Sequence, residues 1–404
     1  MKRTIKLWLT VALLGLLSSC QNPLQALFTP SPARQYLLPP EYEPVQGMLV
    51  SEHLTSFPNG TELLSTLLGE GAEVWLLNAN PDVLNQTRGL LSQRFGLQAD
   101  QLERIRPLQV ATDSVWARDW APIFAFGPGQ MLGLLDLRYY PDRPLDDAVP
   151  AQVADFTRKL MPQRQVQALP VAVELEGGNM LCTRSNCFVS EEVLRRVEAN
   201  QGRTPDPAEI LVELEKYIAQ EFWIVPRMPY ESTGHIDIWA KLLDEKTMII
   251  GQISEESLDA VPAQLQETYR EVMRFLDEQA LGQDAAGQPS PNSLAALLKR
   301  IHPEIRIERV PMPTPGIYQG VETFRTYTNS LLFNEVAVLP RYVRGTRFSR
   351  AERDLTREHE QRVEAVYQAA GYRVIWIRAD NLIRDGGAWH CVAMQIPDLA
   401  RHGS

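Results

Sequence analysis

Cys391 closes the segment Asp385-Gly-Gly-Ala-Trp-His-Cys391, and three upstream motifs carry the groups that a thiolate attacking a flat cation would need. These are Trp116-Ala-Arg-Asp-Trp-Ala-Pro122, Glu174-Leu-Glu-Gly-Gly-Asn179 and Ser232-Thr-Gly-His-Ile-Asp-Ile-Trp239, which offer Asp119, Glu176, His235 and Asp237. The thiolate can act as nucleophile, the imidazole can move protons, and paired carboxylates can hold a planar, donor-rich guanidinium through charge-assisted hydrogen bonds.

Each motif alone also has a structural reading. His235 and Asp237 could be a satisfied buried pair, Arg118 and Asp119 a surface ion pair between two tryptophans, and Cys391 one more buried, inert thiol. It is the combination that favours chemistry. A strand through Gly234-His-Ile-Asp237 would put His235 and Asp237 on one face, because side chains alternate. The same alternation turns His390 away from Cys391 and assigns it to packing. Pro122 interrupts regular structure and predicts Asp119 at a strand end or in a loop. A cysteine amidase or protease is disfavoured, because an acyl-transfer site needs donors for an oxyanion and not a surplus of negative charge.

The elements that must position these residues repeat. Ile123–Phe126 turns at Gly127-Pro-Gly-Gln130 into Met131–Leu135, and Trp239–Leu243 turns at Asp244-Glu-Lys246 into Thr247–Ile250. Ser330–Phe333 turns at Asn334-Glu335 into Val336–Leu339, and Asn179–Cys182 leads into Cys187–Val189. All four are hairpin signals. Glu176-Gly-Gly-Asn-Met-Leu-Cys182 and Asp385-Gly-Gly-Ala-Trp-His-Cys391 place acid, two glycines and cysteine at the same offsets, so the α/β chain reads as a ring of similar modules. Apolar spacing predicts helices at about 191–199, 207–221, 257–279 and 350–370. Residues 280–293 read as a surface loop.

The 404 residues carry 40 Lys and Arg against 50 Asp and Glu, a net charge of −10 that argues against nucleic acid as a partner. Lys2, Arg3 and Lys6, the apolar run Leu7–Leu17 and Leu17-Ser-Ser-Cys20 read as a targeting leader that resembles the lipoprotein type, with an ordinary secretory leader or an uncleaved anchor helix as the alternatives. The expected organisation is a signal peptide at 1–19, a lipidated Cys20 and tether at 20–36, and a single domain at 37–404 with an insertion at about 257–305. The protein is then exported and held on a bacterial membrane through its lipid alone. Cys182 and Cys187 flank a polar turn and are candidates for a disulfide outside the cytoplasm. No second closely spaced Cys or His pair completes a zinc site, so no metal is expected.

In this order, the motifs resemble the agmatine deiminase and bacterial, Porphyromonas-type peptidylarginine deiminase family of guanidine-modifying enzymes. The resemblance runs from about Leu37 to Pro397 through Pro39-Pro-Glu-Tyr-Glu-Pro44, Trp116–Pro122, Leu175–Asn179, Gly234–Asp237, Thr326-Tyr-Thr-Asn-Ser330 and Gly386–Cys391. It implies a five-bladed, pseudo-symmetric αβ propeller, the pentein fold, with the site on its axis and no cofactor. It also implies hydrolysis of a guanidino group, of agmatine or of peptidyl-arginine, with loss of ammonia through a covalent thiouronium on Cys391. His235 would serve as acid and then base, Asp119 and Asp237 as the clamp, and Glu176 as a third acid. Trp116, Asn179, Asn329 and Gly387 would line the substrate. The closing Asp385-Gly-Gly-Ala-Trp departs from the family's commoner Gly-Gly-Gly-Asn before His-Cys, which leaves the substrate's tail open. Amidino transfer on the same fold, or a surface lipoprotein that binds cations without turnover, are the alternatives.

Overall fold

The computed structural model describes residues 34–259, 261, 263–313, 316–318, 321–342 and 350–400. The signal peptide, Cys20 and nearly all of the predicted tether lie outside the described residues. Packing begins at Gln35, just before the expected edge of the domain. The Gln35 and Tyr36 amides donate to the Tyr217 carbonyl at 3.1 and 3.0 Å, and the buried Tyr36 side chain donates to Gln167 Oε1 at 3.0 Å.

Five small sheets follow one plan, in which a central strand runs antiparallel to one neighbour and parallel to the other. In chain order, the first three sheets with this plan are Ile123–Phe126, Met131–Arg138 and Gln165–Glu174; Met180–Cys182, Asn186–Ser190 and Glu221–Val225; and Ala240–Asp244, Thr247–Gln252 and Arg306–Pro311. The fourth is Leu331–Phe333, Val336–Arg341 and Arg373–Arg378. The fifth joins the two ends of the chain, pairing Met394–Pro397 with Val45–Ser51, which runs parallel to Glu73–Leu77 and on to Ile105–Leu108. All four predicted hairpins are present.

Local chemistry explains the plan. Antiparallel neighbours need only a short turn, and Asn334 takes φ 52° in the two-residue link Asn334-Glu335, the positive φ that tight hairpin turns require. Parallel neighbours need a long crossover, usually helical. Helices supply it in each case, for example Val149–Leu160 in the first sheet and Arg350–Ala369 in the fourth. The stretch expected as an insertion at 257–305 falls within the crossover of the third sheet. Its helices Gln266–Leu281 and Leu294–Ile301 bury Tyr269, Val272, Leu276, Leu294 and Leu298 in one cluster with Ile250 of that sheet and Trp239 just ahead of it. Gly282 caps the longer helix in the left-handed region, and Ser293 caps the next by accepting from the Ala296 amide.

This plan has a consequence for function. In all five sheets, the residues singled out by sequence lie in the turn that leads into the first strand of the hairpin or, in the fifth sheet, into the C-terminal strand. Asp119 precedes Ile123, Glu176 precedes Met180, Asp237 precedes Ala240, Asn329 precedes Leu331 and Cys391 precedes Met394. Repetition of one topology therefore delivers five different side chains from equivalent positions.

Candidate active site

Asp119 sits in the helical turn Ala117–Trp120 and not in an extended strand end or loop. Its Oδ1 accepts from the Gly178 amide at 3.2 Å and lies 3.8 Å from His235 Nδ1. His235 and Asp237 are not on a strand either: the chain makes a 3₁₀ turn over Ile236–Ile238, with His235 capping it in an extended conformation. Both are buried all the same, and the turn packs against the Gly177–Asn179 turn.

Gly178 is the place where these groups meet. A Cβ there would stand 2.7 Å from His235 Nδ1, 2.8 Å from Asp119 Oδ1 and 3.2 Å from Asp237 Oδ2. Any side chain would push the three apart, so glycine is required by close approach and not by its φ. Gly387 has the corresponding role beside the thiol, where a Cβ would meet Trp116 Cζ3 at 2.7 Å and Cys391 Sγ at 2.8 Å. Trp116, half-buried, thus packs along the glycine that borders Cys391.

Behind His235 stands Glu176, whose Oε2 meets His235 Nε2 at 2.6 Å and Arg196 at 2.7 Å. The Arg196 guanidinium lies over the Tyr140 ring at 4.4 Å and also donates to the Tyr140 hydroxyl. Glu176 is therefore a partner of the imidazole. Arg196 and Tyr140 carry no motif that the sequence could have flagged; Arg196 lies on the surface-like helix Glu192–Gln201.

Cys391 Sγ lies 3.8 Å from Asp237 Oδ2 and receives Asn329 Nδ2 at 3.1 Å. The same Asn329 amide donates to Asp237 Oδ2 at 2.8 Å, while its Oδ1 accepts from the Ala388 amide at 3.0 Å. Asn329 thereby holds thiol and carboxylate in one geometry. Asp237 Oδ1, by contrast, is buried with no hydrogen-bond partner among the described residues. Asn179, expected against the substrate, accepts from the Ser190 amide at 3.1 Å, which ties its turn to the neighbouring strand. A disulfide joins Cys182 and Cys187, which face each other in the ladder.

The electrostatics follow from burial of many charges together. Burial alone would lower the His235 pKa, but Glu176 and then Asp119 outweigh it and raise it to about 10. Burial raises Asp119 to about 7, and the nearby Glu176 and Asp237 charges add to this against the opposing pull of His235. The Cys391 thiol is pushed well up, first by burial and then by Asp237 and Asp119. At neutral pH these shifts favour a protonated thiol and a charged imidazole. Among the described residues, no group of three or more His, Cys, Asp or Glu is placed to hold a metal ion.

A relative from Photobacterium profundum, provisionally named an agmatine deiminase, is 22% identical over 327 residues, covering 73% of this chain and 78% of its own. The C. jejuni agmatine deiminase, solved with substrate bound, superposes with a TM-score of 0.61 at 15% identity, covering 90% of this chain and 96% of its own. The agmatine deiminase of Enterococcus faecalis gives the same TM-score, identity and coverage. At such identities the superpositions speak for the shared α/β fold. The family model of the Porphyromonas-type peptidyl-arginine deiminases matches residues 53–397, and the chain therefore belongs to that family of enzymes.

Proposed function

We propose that this protein hydrolyses the guanidino group of agmatine or of an arginine side chain to a ureido group, releasing ammonia. The observation that carries the reading is Asp237 Oδ1, a buried acceptor without a partner, on a carboxylate whose other oxygen is fixed 3.8 Å from the Cys391 sulfur. An unpaired buried carboxylate oxygen is costly, and a guanidinium N–H satisfies it while placing the guanidino carbon beside the thiol. Asp119 would hold the cation from the other side.

The chemistry then balances without an external redox partner. The cation offsets the charges that keep the thiol protonated, the thiol proton is lost to solvent, the thiolate bonds to the guanidino carbon, and the C–N bond breaks as the charged His235 gives a proton to departing ammonia. Water, deprotonated by the same imidazole, attacks the thiouronium carbon, the C–S bond breaks and the ureido product leaves. Five modules sharing one topology, with the last strand paired to the first, support closure into a five-bladed propeller with this site on its axis. A panel of agmatine, free arginine, internal peptidyl-arginine and C-terminal peptidyl-arginine, scored for ammonia and ureido product, tests the proposal. Turnover of agmatine or of a peptidyl-arginine is expected; no product from any member would overturn it, and an amidinated acceptor would mean transfer in place of hydrolysis.

Export and lipid attachment at Cys20 form part of the same reading. They are supported by the leader and by the Cys182–Cys187 disulfide, which suits an oxidising compartment. A Cys20→Ala variant is expected to leave the membrane fraction; unchanged retention would refute the anchor.

A further inference from the structure

Beneath Asp237 lies a chain of buried and partly buried groups that the proposed reaction does not use. His390 Nδ1 meets Asp237 Oδ2 at 2.6 Å, and His390 Nε2 meets both oxygens of Glu41 at 2.9 Å. The His390 and Asp237 side chains are fully buried. Glu41 is held further by Lys241 at 2.9 Å and Arg118 at 3.0 Å. Burial would raise its carboxyl, but Arg118, His390 and Lys241 keep it well below the usual range. Glu41 is thus a fixed anion, gripped by cations from separate elements of the fold.

The imidazole between them is anchored at both nitrogens and cannot tilt without breaking a contact. Its grip on Asp237 Oδ2, with that of Asn329 on the same oxygen, leaves the carboxylate one orientation. That orientation also fixes the place of Oδ1, the unpartnered oxygen, on a carboxylate whose other oxygen lies 3.8 Å from Cys391 Sγ. A doubly protonated ring donates at both ends, whereas a neutral ring turns a lone pair to one carboxylate. A buried packing histidine needs no such pair of acidic partners.

We propose that Glu41 and His390 are positioning residues that set the orientation of Asp237, so that its free oxygen receives the guanidinium and the guanidino carbon lines up with Cys391. This rests on the deiminase reading for its substrate, but its test need not. Misplacing a reacting group by about 1 Å can lower turnover on the order of 10²-fold. The charged groups that face the pair are Asp237, Arg118 and Lys241, and none of these is altered in the test.

The experiment compares alkylation of Cys391 by 2-chloroacetamidine, an amidinium, with alkylation by the neutral, matched 2-chloroacetamide. Only the former should depend on Asp237. His390→Gln places its amide where Nε2 was and leaves Asp237 without its donor. It is expected to cut the ratio of the two rates roughly 10²-fold, and to lower kcat/KM for a guanidino substrate in parallel. His390→Asn keeps a donor near the Nδ1 position and is expected to restore most of the ratio. Glu41→Gln, which keeps a side chain of the same shape, is expected to lower the ratio several-fold and decides the matter should His390→Gln fail to fold. An unchanged ratio in Glu41→Gln, or equal losses with both reagents alongside a lower Tm, would overturn the proposal. Absence of turnover by wild type on every guanidino compound would instead count against the deiminase reading, while the alkylation ratio would still report on His390.

Discussion

Cys391→Ala is expected to abolish ammonia release, with a loss on the order of 10⁶-fold, the scale seen when covalent catalysts lose their nucleophile. Among the described residues the site holds no substitute: Cys182 and Cys187 are tied to each other, and Cys391 is the free thiol. The resting site is also poorly suited to activating any nucleophile, since burial, Asp237 and Asp119 all favour the protonated thiol. His235, raised to about 10 by Glu176 and Asp119 against its own burial, favours its charged form at neutral pH, which suits it to give a proton and not to take the thiol's. On the proposed reading, a bound guanidinium would favour the thiolate, because a permanent cation between Asp119 and Asp237 would offset the two charges that oppose it. Activation would then wait for the substrate, which would also protect the sulfur from stray oxidants. The measurements are ammonia release by the variant, and mass spectrometry of acid-quenched wild type for an adduct on Cys391. Residual turnover above about one per cent of wild type would remove the sulfur from the mechanism.

Much of this site was legible in the sequence because its residues sit in short motifs with glycines at the points of closest approach. The Gly177-Gly178 pair announced a backbone pressed against something, and it is pressed against His235, Asp119 and Asp237. The hairpins were legible because their turns are short and polar. What sequence could not supply was partnership across distance. The pairing of Met394–Pro397 with Val45–Ser51 joins the two ends of the fold, and no local signal marks it.

Two readings failed for one reason: they assumed extended backbone. Gly234–Asp237 forms a 3₁₀ turn with three residues per turn, so alternation does not describe where His235 and Asp237 point. The segment around His390 lies in turns just ahead of the last strand, and its imidazole, assigned to packing, grips Asp237. Glu41 sat within the quoted segment Pro39–Pro44, yet nothing local tied it to a histidine near the far end of the chain. Arg196 had no signal at all, since a helix rich in Arg and Glu reads as a solvated face.

Asp119→Asn is expected to separate stability from activity in opposite directions. In the folded protein the Asp119 pKa is raised to about 7, chiefly by burial and then by the Glu176 and Asp237 charges. An acid whose folded pKa exceeds its unfolded value of ~3.9 binds protons more tightly in the native state, so stability falls as pH rises between the two values. Below pH ~4 the carboxyl is protonated in both states and asparagine should change little. Above pH ~7 the native state carries a buried, repelled anion, and the amide relieves it while still accepting from Gly178. Part of the gain is lost because His235 gives up one of its two carboxylate neighbours, leaving a net stabilisation on the order of 2 kcal/mol at pH 8, or a Tm higher by roughly 2–4 °C. Catalysis moves the other way by about 10³-fold, because a neutral amide neither matches the guanidinium charge nor offers two acceptor oxygens to its donors. Thermal unfolding of both proteins at pH 4.5 and pH 8 decides the first half, and a variant less stable than wild type at pH 8 would show that Asp119 holds the fold together. If the gain appears only at the higher pH, this carboxylate is kept at the expense of stability, and the cation it awaits is the reason.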